Sequence, residues 1–262
     1  MKKFFGSIIL ILFLIFGSLI LVLATTGIQT DKFNKIISNK IVENNKNILL
    51  NLNKIKFKFD IKDLSLFIET RNPELSYQNL KIPIEKIKAY LDFVTLIQSS
   101  PKIDRIDLSF KEINISQLKK LIIKTKPSNL NSFINNRVKT GKLSTELEFY
   151  FDKNLKIKNF IARGEVKEMI AVASKDLTFK NTSFNFFADN SDVLVKNIES
   201  EIDGLLINSG NLQINKSNNI KINSDFFTKI NINENNINNY LMLLKKYKFL
   251  NNQIKFKANL NH

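Results

Sequence analysis

The chain has 262 residues, enough to bury a sizeable core in one domain or two, and carries 22 Phe and no Trp, with only 7 Gly and 4 Pro. Its net charge of +16 and pI near 9.8 would suit a polyanionic partner. The lysines, however, stand singly on alternate positions in the Lys/Asn/Ile/Phe bias that AT-rich coding produces, and no basic stripe with interleaved aromatics marks a nucleic-acid surface.

The first element is a membrane anchor. Ile8 to Ala24 read "IILILFLIFGSLILVLA" without a charge. With Phe4 and Phe5 the apolar span is about 21 residues, or ~31 Å of helix, enough to cross a bilayer. Lys2 and Lys3 precede it and the next basic residue is Lys32. The positive-inside rule therefore keeps residues 1–7 cytoplasmic and sends everything after residue 24 outward. "VLA" at Val22–Ala24 also satisfies a signal-peptidase site, but the stretch is long for a signal h-region, and a retained anchor over 8–24 is the expectation.

Residues 25–47 predict a linker and a short amphipathic helix, capped by Asp31, with Phe33, Ile36, Ile37 and Ile41 on one face. From residue 48 to 262 the pattern is β-rich. "KIKFKFDIKDLSLFIE" (Lys54–Glu69) alternates strictly, placing Ile55, Phe57, Phe59 and Ile61 on one face and the lysines on the other. The apolar parity then shifts, so Leu64, Leu66 and Ile68 belong to a bulge or a new strand. "ELSYQNLKI" and "IEKIKAYL" predict two more strands around Pro83, followed by a short helix over Asp92–Gln98 and a strand carrying Ile106, Leu108 and Phe110. Ser116 is the predicted cap of a helix bearing Leu118, Leu121 and Ile122; a second helix, with Leu130, Phe133, Ile134 and Val138, is predicted to end near Gly141.

Beyond Gly141 the pattern is a meander. "KLSTELEFYF" puts Leu143, Leu147, Phe149 and Phe151 on one parity. "DKN", "ADNSD" and "NSGN" read as turns between consecutive strands, which then pair antiparallel. A late helix over Glu234–Tyr247 and a final strand, "QIKFKANLNH", complete the pattern. A chain that ends while still reading as a strand leaves an open sheet edge, which either continues into further sequence, the expectation here, or docks on a partner.

Residues that could carry chemistry are few. There is no cysteine, so disulfides and thiolate metal sites are excluded; the only histidine, His262, is the last residue, so no Ser-His-Asp or His-based metal set can form inside the domain. The 7 glycines are well apart and form neither a P-loop nor a GxGxxG. Asp189 and Asp192 read as a hairpin turn in preference to a calcium site, and the sequons at Asn114, Asn181 and Asn215 read as chance in an Asn-rich chain. No cofactor is expected, and a two-carboxylate hydrolase is a weak alternative.

The remaining question is what the apolar strand faces cover. A second sheet, the helices, or an apolar ligand are the three answers, and a long meander with few helices leaves too little helix for the second. Here the chain resembles the AsmA-like proteins of Gram-negative bacteria. The resemblance rests on the anchor leading into "TTGIQTDKFNKIISNKI", on "LNLNKIKFKFDIKDLSLFIETRNPELSYQNLKIPIEKIKAYLDF" and "KIDRIDLSFKEINISQLKKLI", and on the repeat-like "GKLSTELEFYFDKNLKIKNFIARGEVKEM" with "SFNFFADNSDVLVKNIESEIDGLLINSGNLQI", where Gly141, Gly164, Gly204 and Gly210 fall at the pattern's glycine positions. It covers most of the chain after the anchor, although the chain is short for such a protein. The resemblance implies a mainly β fold, an inner-membrane anchor followed by an elongated, curled antiparallel sheet with a few short amphipathic helices. It also implies a periplasmic groove that moves phospholipid or supports outer-membrane assembly. Ile55, Phe57, Phe59, Ile61, Leu147, Phe149 and Phe151 are the expected groove-lining residues. A structural factor that pairs its sheet edge with another envelope protein is the alternative.

Overall fold

A computed structural model describes the chain except for residues 1, 45, 92–101, 153, 155, 175–176, 203–204, 217–218, 233–256 and 261–262. The protein is mainly β, with a large antiparallel sheet and one N-terminal apolar helix. It divides into two compact units, Met1–Lys111 with Glu146–Ile161, and Glu112–Thr145 with Ala162–His262.

The first unit begins with α1 (Lys2–Thr25). Its Gly6–Thr25 portion has a mean hydropathy of 3.1 and no buried residue, so it is long and apolar enough to cross a membrane. Gly27 ends the helix in the left-handed conformation (φ 71°), its N–H donating to the Val22 carbonyl at 2.8 Å. A Cβ there would lie 2.8 Å from both Lys58 Cγ and the Phe57 carbonyl oxygen, so glycine is what lets the helix end pack against the sheet. β1 (Ile28–Thr30) and α2 (Asn34–Asn44) follow. Asp31 contributes its backbone carbonyl, which accepts from Asn34 N–H, to the start of α2. The predicted apolar face of α2 is only partly used, since Ile36 stays exposed while Phe33 meets Phe57 edge-on at 6.1 Å.

β2 is Ile48–Asn51, β3 Ile55–Asp60 and β4 Ser65–Arg71. Ile61 to Leu64 form the turn between β3 and β4, so the parity shift marks a new strand. "ELSYQNLKI" is a hairpin instead of one strand: β5 (Glu74–Tyr77) and β6 (Leu80–Ile82) flank Gln78 and Asn79, both at positive φ, the geometry of a two-residue type I′ turn. β7 (Ile84–Leu91) and β8 (Ile103–Phe110) complete the set; the helix expected over Asp92–Gln98 lies outside the described residues. The strand order is β1-β3-β4-β7-β8 and then the Glu146–Phe151 end of β10 (Val138–Phe151), all antiparallel, beside a small β2-β5-β6 sheet. Among the described residues, Leu50, Ile55, Phe67, Ile84 and Tyr90 are its buried hydrophobic side chains, joined by the buried polar Glu69, Thr70 and Glu148.

The second unit opens with β9 (Ile113–Asn114) and α3 (Ile115–Ile122). Asn114, not Ser116, is the cap: its side chain accepts from Gln117 N–H while the Gln117 side chain accepts from Asn114 N–H, closing a capping box. α4 (Asn129–Arg137), capped by Ser128, stops four residues before the predicted end near Gly141. Val138 already belongs to β10, which runs through Gly141. β11 (Ile157–Ser174), β12 (Leu177–Ala188), β13 (Asp192–Ile202), β14 (Leu205–Asn215) and β15 (Lys221–Ile232) form consecutive antiparallel neighbours. "DKN" and "ADNSD" are the expected turns: the Asp152 carboxylate accepts from Asn154 and Lys156 N–H, and the Asp189 carboxylate from Ser191 and Asp192 N–H, which holds Asp189 below the usual carboxylate range. "NSGN" is no turn but the middle of β14. β16 (Lys257–Leu260) pairs parallel with β15, while the late helix and Gly204 lie outside the described residues.

Candidate functional site

The alternation of β3 becomes, through pairing register, a set of apolar rows crossing five strands of the first unit. Phe57, Ile68, Ala89, Ile106 and Phe149 lie opposite one another in sequence on β3, β4, β7, β8 and β10. Ile55, Thr70, Ile87, Leu108 and Leu147 form the row beside it, and Phe59, Leu66, Leu91 and Ile103 the next. Because side chains on one face repeat every second residue, these rows share a face, with Ile103, three residues before Ile106, brought opposite Leu91 by a register shift in the β7–β8 pairing. Ile55 (1 % exposed) and Thr70 are buried; the rest are half-buried.

Of the seven residues expected to line a groove, the structure brings Phe57 with Phe149 into one row and Ile55 with Leu147 into another, and Phe59 begins the third. Phe151, half-buried, closes β10 on the same parity. Ile61 does not join them. It falls in the turn one residue past the end of β3, 60 % exposed, because the strand ends at Asp60 although the sequence alternation runs on to Ile61.

The opposite face of the same strands is a charged and aromatic ladder that sequence reading treated only as the wet side. One row runs Lys58, Phe67, Tyr90, Arg105, Tyr150, and the next Lys56, Glu69, Lys88, Asp107, Glu148. The Arg105 guanidinium lies 3.7 Å from the Tyr90 ring centroid and 5.9 Å from that of Tyr150, and Lys88 caps Phe67 at 4.9 Å. Arg105 is also in ionic contact with Asp107 at 3.0 Å and with Asp63 at 3.4 Å. Burial and the neighbouring Asp107 push the Tyr90 hydroxyl up to about 12, Arg105 opposing. Burial likewise raises Asp107, with Arg105 pulling it back and Glu148 adding to the rise. The signal was available in Tyr90, Arg105 and Tyr150 sharing a strand parity, but it appears only once the register aligns three strands.

Where this ladder meets the chain end of β4, Asn53, Lys54, Lys56, Glu69 and Arg71 line a pocket of about 380 Å3. Glu69, its side chain 5 % exposed, accepts from Arg71 Nε at 3.2 Å and pairs with Lys58 at 3.5 Å. Burial pushes the Glu69 carboxyl up, but Lys58 and Arg71 outweigh it and hold the group below its ordinary 4.5.

The second unit carries its own apolar rows, Ala162-Ala188-Val193-Ile214-Ile222 and Gly164-Phe186-Val195-Leu212. Three neighbouring strands are bulged here at Glu168, Asn181 and Asn197, all at positive φ. Across each bulge the same face steps by three residues, from Val166 to Met169, Phe179 to Thr182 and Val195 to Ile198. Thr182 and Ser200 bury their hydroxyls in a mutual 2.7 Å hydrogen bond beside this line.

Comparison with family models, curated proteins and solved structures finds no match in any of the three. Among the described residues, no group of three His, Cys, Asp or Glu side chains is placed to hold a metal ion. What the arrangement offers chemically is a broad apolar surface stiffened from behind by ion pairs, plus one basic pocket.

Proposed function

We propose that this protein is a non-enzymatic, single-pass inner-membrane protein whose bulk lies in the periplasm and whose apolar sheet face shelters phospholipid acyl chains in transit between the inner and outer membranes or during outer-membrane assembly. The observation that carries the reading is the set of apolar rows crossing β3, β4, β7, β8 and β10, half-buried instead of sealed. Each methylene kept from water is worth ~0.8 kcal/mol, so two long acyl tails carry a penalty on the order of 20 kcal/mol in an aqueous space. Rows of interchangeable apolar side chains offset that penalty without trapping the lipid at one deep point. The bulge line in the second unit adds local twist, which favours curling of the sheet into a gutter. The resemblance to AsmA-like proteins and an N-terminal helix apolar enough to span a bilayer support the same reading. The test is mass spectrometry of lipid extracted from the purified full chain: phospholipid bound in near-stoichiometric amount is expected, and a lipid-free, folded protein overturns the proposal.

A second reading, an assembly factor that pairs its edge with another envelope protein, is favoured by β15. The side of Lys221–Thr228 away from β14 has no strand partner among the described residues, and Phe226 and Phe227 are each more than half exposed. Crosslinking from Asp225 to a neighbouring envelope protein in cells separates this reading from the first.

A further inference from the structure

We propose that the pocket lined by Lys54, Lys56 and Arg71 docks the phosphate of an anionic membrane-lipid headgroup, at the bilayer surface from which α1 emerges. The inference rests on the membrane-anchor part of the proposed function and not on the apolar rows.

Position comes first. α1 ends at Thr25, and Gly27 packs directly against Lys58 and Phe57 of β3. Gln29, four residues beyond the helix, lies opposite Lys56. Four residues of strand separate Lys58 from Lys54, so the pocket begins within about 15 Å of the helix end. A helix of this length fills the hydrocarbon core, leaving its end at the headgroup layer. The pocket therefore opens beside lipid phosphates, within a small multiple of the screening length at physiological salt.

Charge comes second. Lys54 and Lys56 form no ion pair among the described residues, although both line the pocket. Arg71 spends its Nε on Glu69, leaving its two terminal nitrogens without a hydrogen bond among the described residues. Glu69 carries the one negative charge in the lining, and it is already engaged by Lys58 and Arg71. Its role is to fix the guanidinium plane, so that the outer edge presents paired donors to a phosphate while the two ammonium groups add point charges. Lys86 and Lys88, opposite Arg71 and Glu69, extend the same positive field along the sheet. Small-molecule sites run to about 300–1,000 Å3, and the pocket's 380 Å3 falls in that range.

The test uses the full chain in mixed micelles of phosphatidylglycerol and phosphatidylcholine, with retained lipid counted by native mass spectrometry. The wild type is expected to retain phosphatidylglycerol in preference. The triple variant Lys54→Gln, Lys56→Gln, Arg71→Gln is expected to lose that preference, with affinity down on the order of 100-fold for three basic groups at a membrane surface. Lys119→Gln, Lys120→Gln, Lys124→Gln, the same charge change around α3, is expected to leave it intact. Equal retention of the two lipids, or equal loss in both triple variants, overturns the proposal. So does displacement of phosphatidylglycerol by inorganic phosphate at matched concentration, which would make this a free-phosphate site. If the triple variant does not fold, Lys54→Gln and Lys56→Gln singly are expected to weaken binding a few-fold each, and no change in either overturns the proposal. Failure of the apolar-face reading registers separately, as total lipid unaffected by changes in the rows while the headgroup preference persists.

Discussion

Phe149→Asp distinguishes an open apolar face from a closed core. Phe149 sits at the end of the row Phe57-Ile68-Ala89-Ile106-Phe149 and is half-buried. Full burial of a Phe side chain is worth about 1.5–3 kcal/mol, so removing a half-buried one costs about 1–2 kcal/mol. An Asp carboxylate there still reaches water, so the large cost of a buried unpaired charge does not arise. With about 2–4 °C of melting shift per kcal/mol for a chain of this size, the variant should melt within roughly 8 °C of the wild type. Lipid retention should fall much further. A carboxylate that drives about three methylenes off the surface removes about 2.4 kcal/mol of apolar contact, on the order of 50-fold in binding. Circular dichroism melting beside mass-spectrometric counting of retained lipid measures both. A grossly unfolded variant would show that Phe149 belongs to a closed sandwich, and a folded variant with unchanged lipid would remove it from the lipid-bearing face.

Three further outcomes are expected. A reporter active only outside the cytoplasm, fused after Asn47, should be active; activity confined to a cytoplasmic reporter would reverse the topology drawn from Lys2, Lys3 and the uncharged span. Glu69→Gln should cost roughly 1–3 kcal/mol at pH 7 through lost charge-assisted bonds to Arg71 and Lys58, read by denaturant titration. Because the folded Glu69 titrates below its ordinary 4.5, its stabilisation is complete above that pH and fades as pH falls through the lower folded value; the variant should lose this part of the acid limb, and an identical acid limb would refute the pairing. Gly164→Ala should destabilise by about 1–3 kcal/mol, because a Cβ there overlaps the Ser144 carbonyl oxygen and presses the Phe186 ring at 3.0 Å. Gly210→Ala meets mainly the Phe226 ring, which is 53 % exposed and free to swing, so a larger loss at Gly210 than at Gly164 would contradict this geometry.

The strands were legible because their alternation is strong. β3, β7, β8, β10 and the β12–β13 hairpin stand where period-two apolar spacing and Asp-Asn turns put them. Errors gathered where backbone conformation, not side-chain polarity, decides. Gln78-Asn79 has no glycine, yet both residues adopt positive φ and split one expected strand into a hairpin. Gly210 looked like a turn because "NSGN" is turn chemistry, whereas the glycine is there to admit the Phe226 ring across the strands. Asn114 outcompetes Ser116 as the helix cap because Gln117 stands three residues beyond it and completes the reciprocal pair. The rows of the candidate site follow from parity plus register; parity was visible, but register depends on turn geometry and, for β8 with β10, on pairing across the two intervening helices, which alternation alone does not encode. The basic pocket was hidden for the same reason, since Lys54 and Arg71 come together only when β3 folds back on β4.

The bulges at Glu168, Asn181 and Asn197 also bear on how such a chain can change length. In an uninterrupted strand, gaining or losing one residue turns every later side chain over, and an apolar face would become a charged one. Each bulge here holds one supernumerary residue, so a single deletion at Asn181 or Asn197 could straighten the strand and keep its faces where they are. The line of three thus acts as slack in the reading of inside and outside. It marks the places where strands of this protein can be shortened or lengthened without exchanging grease for charge.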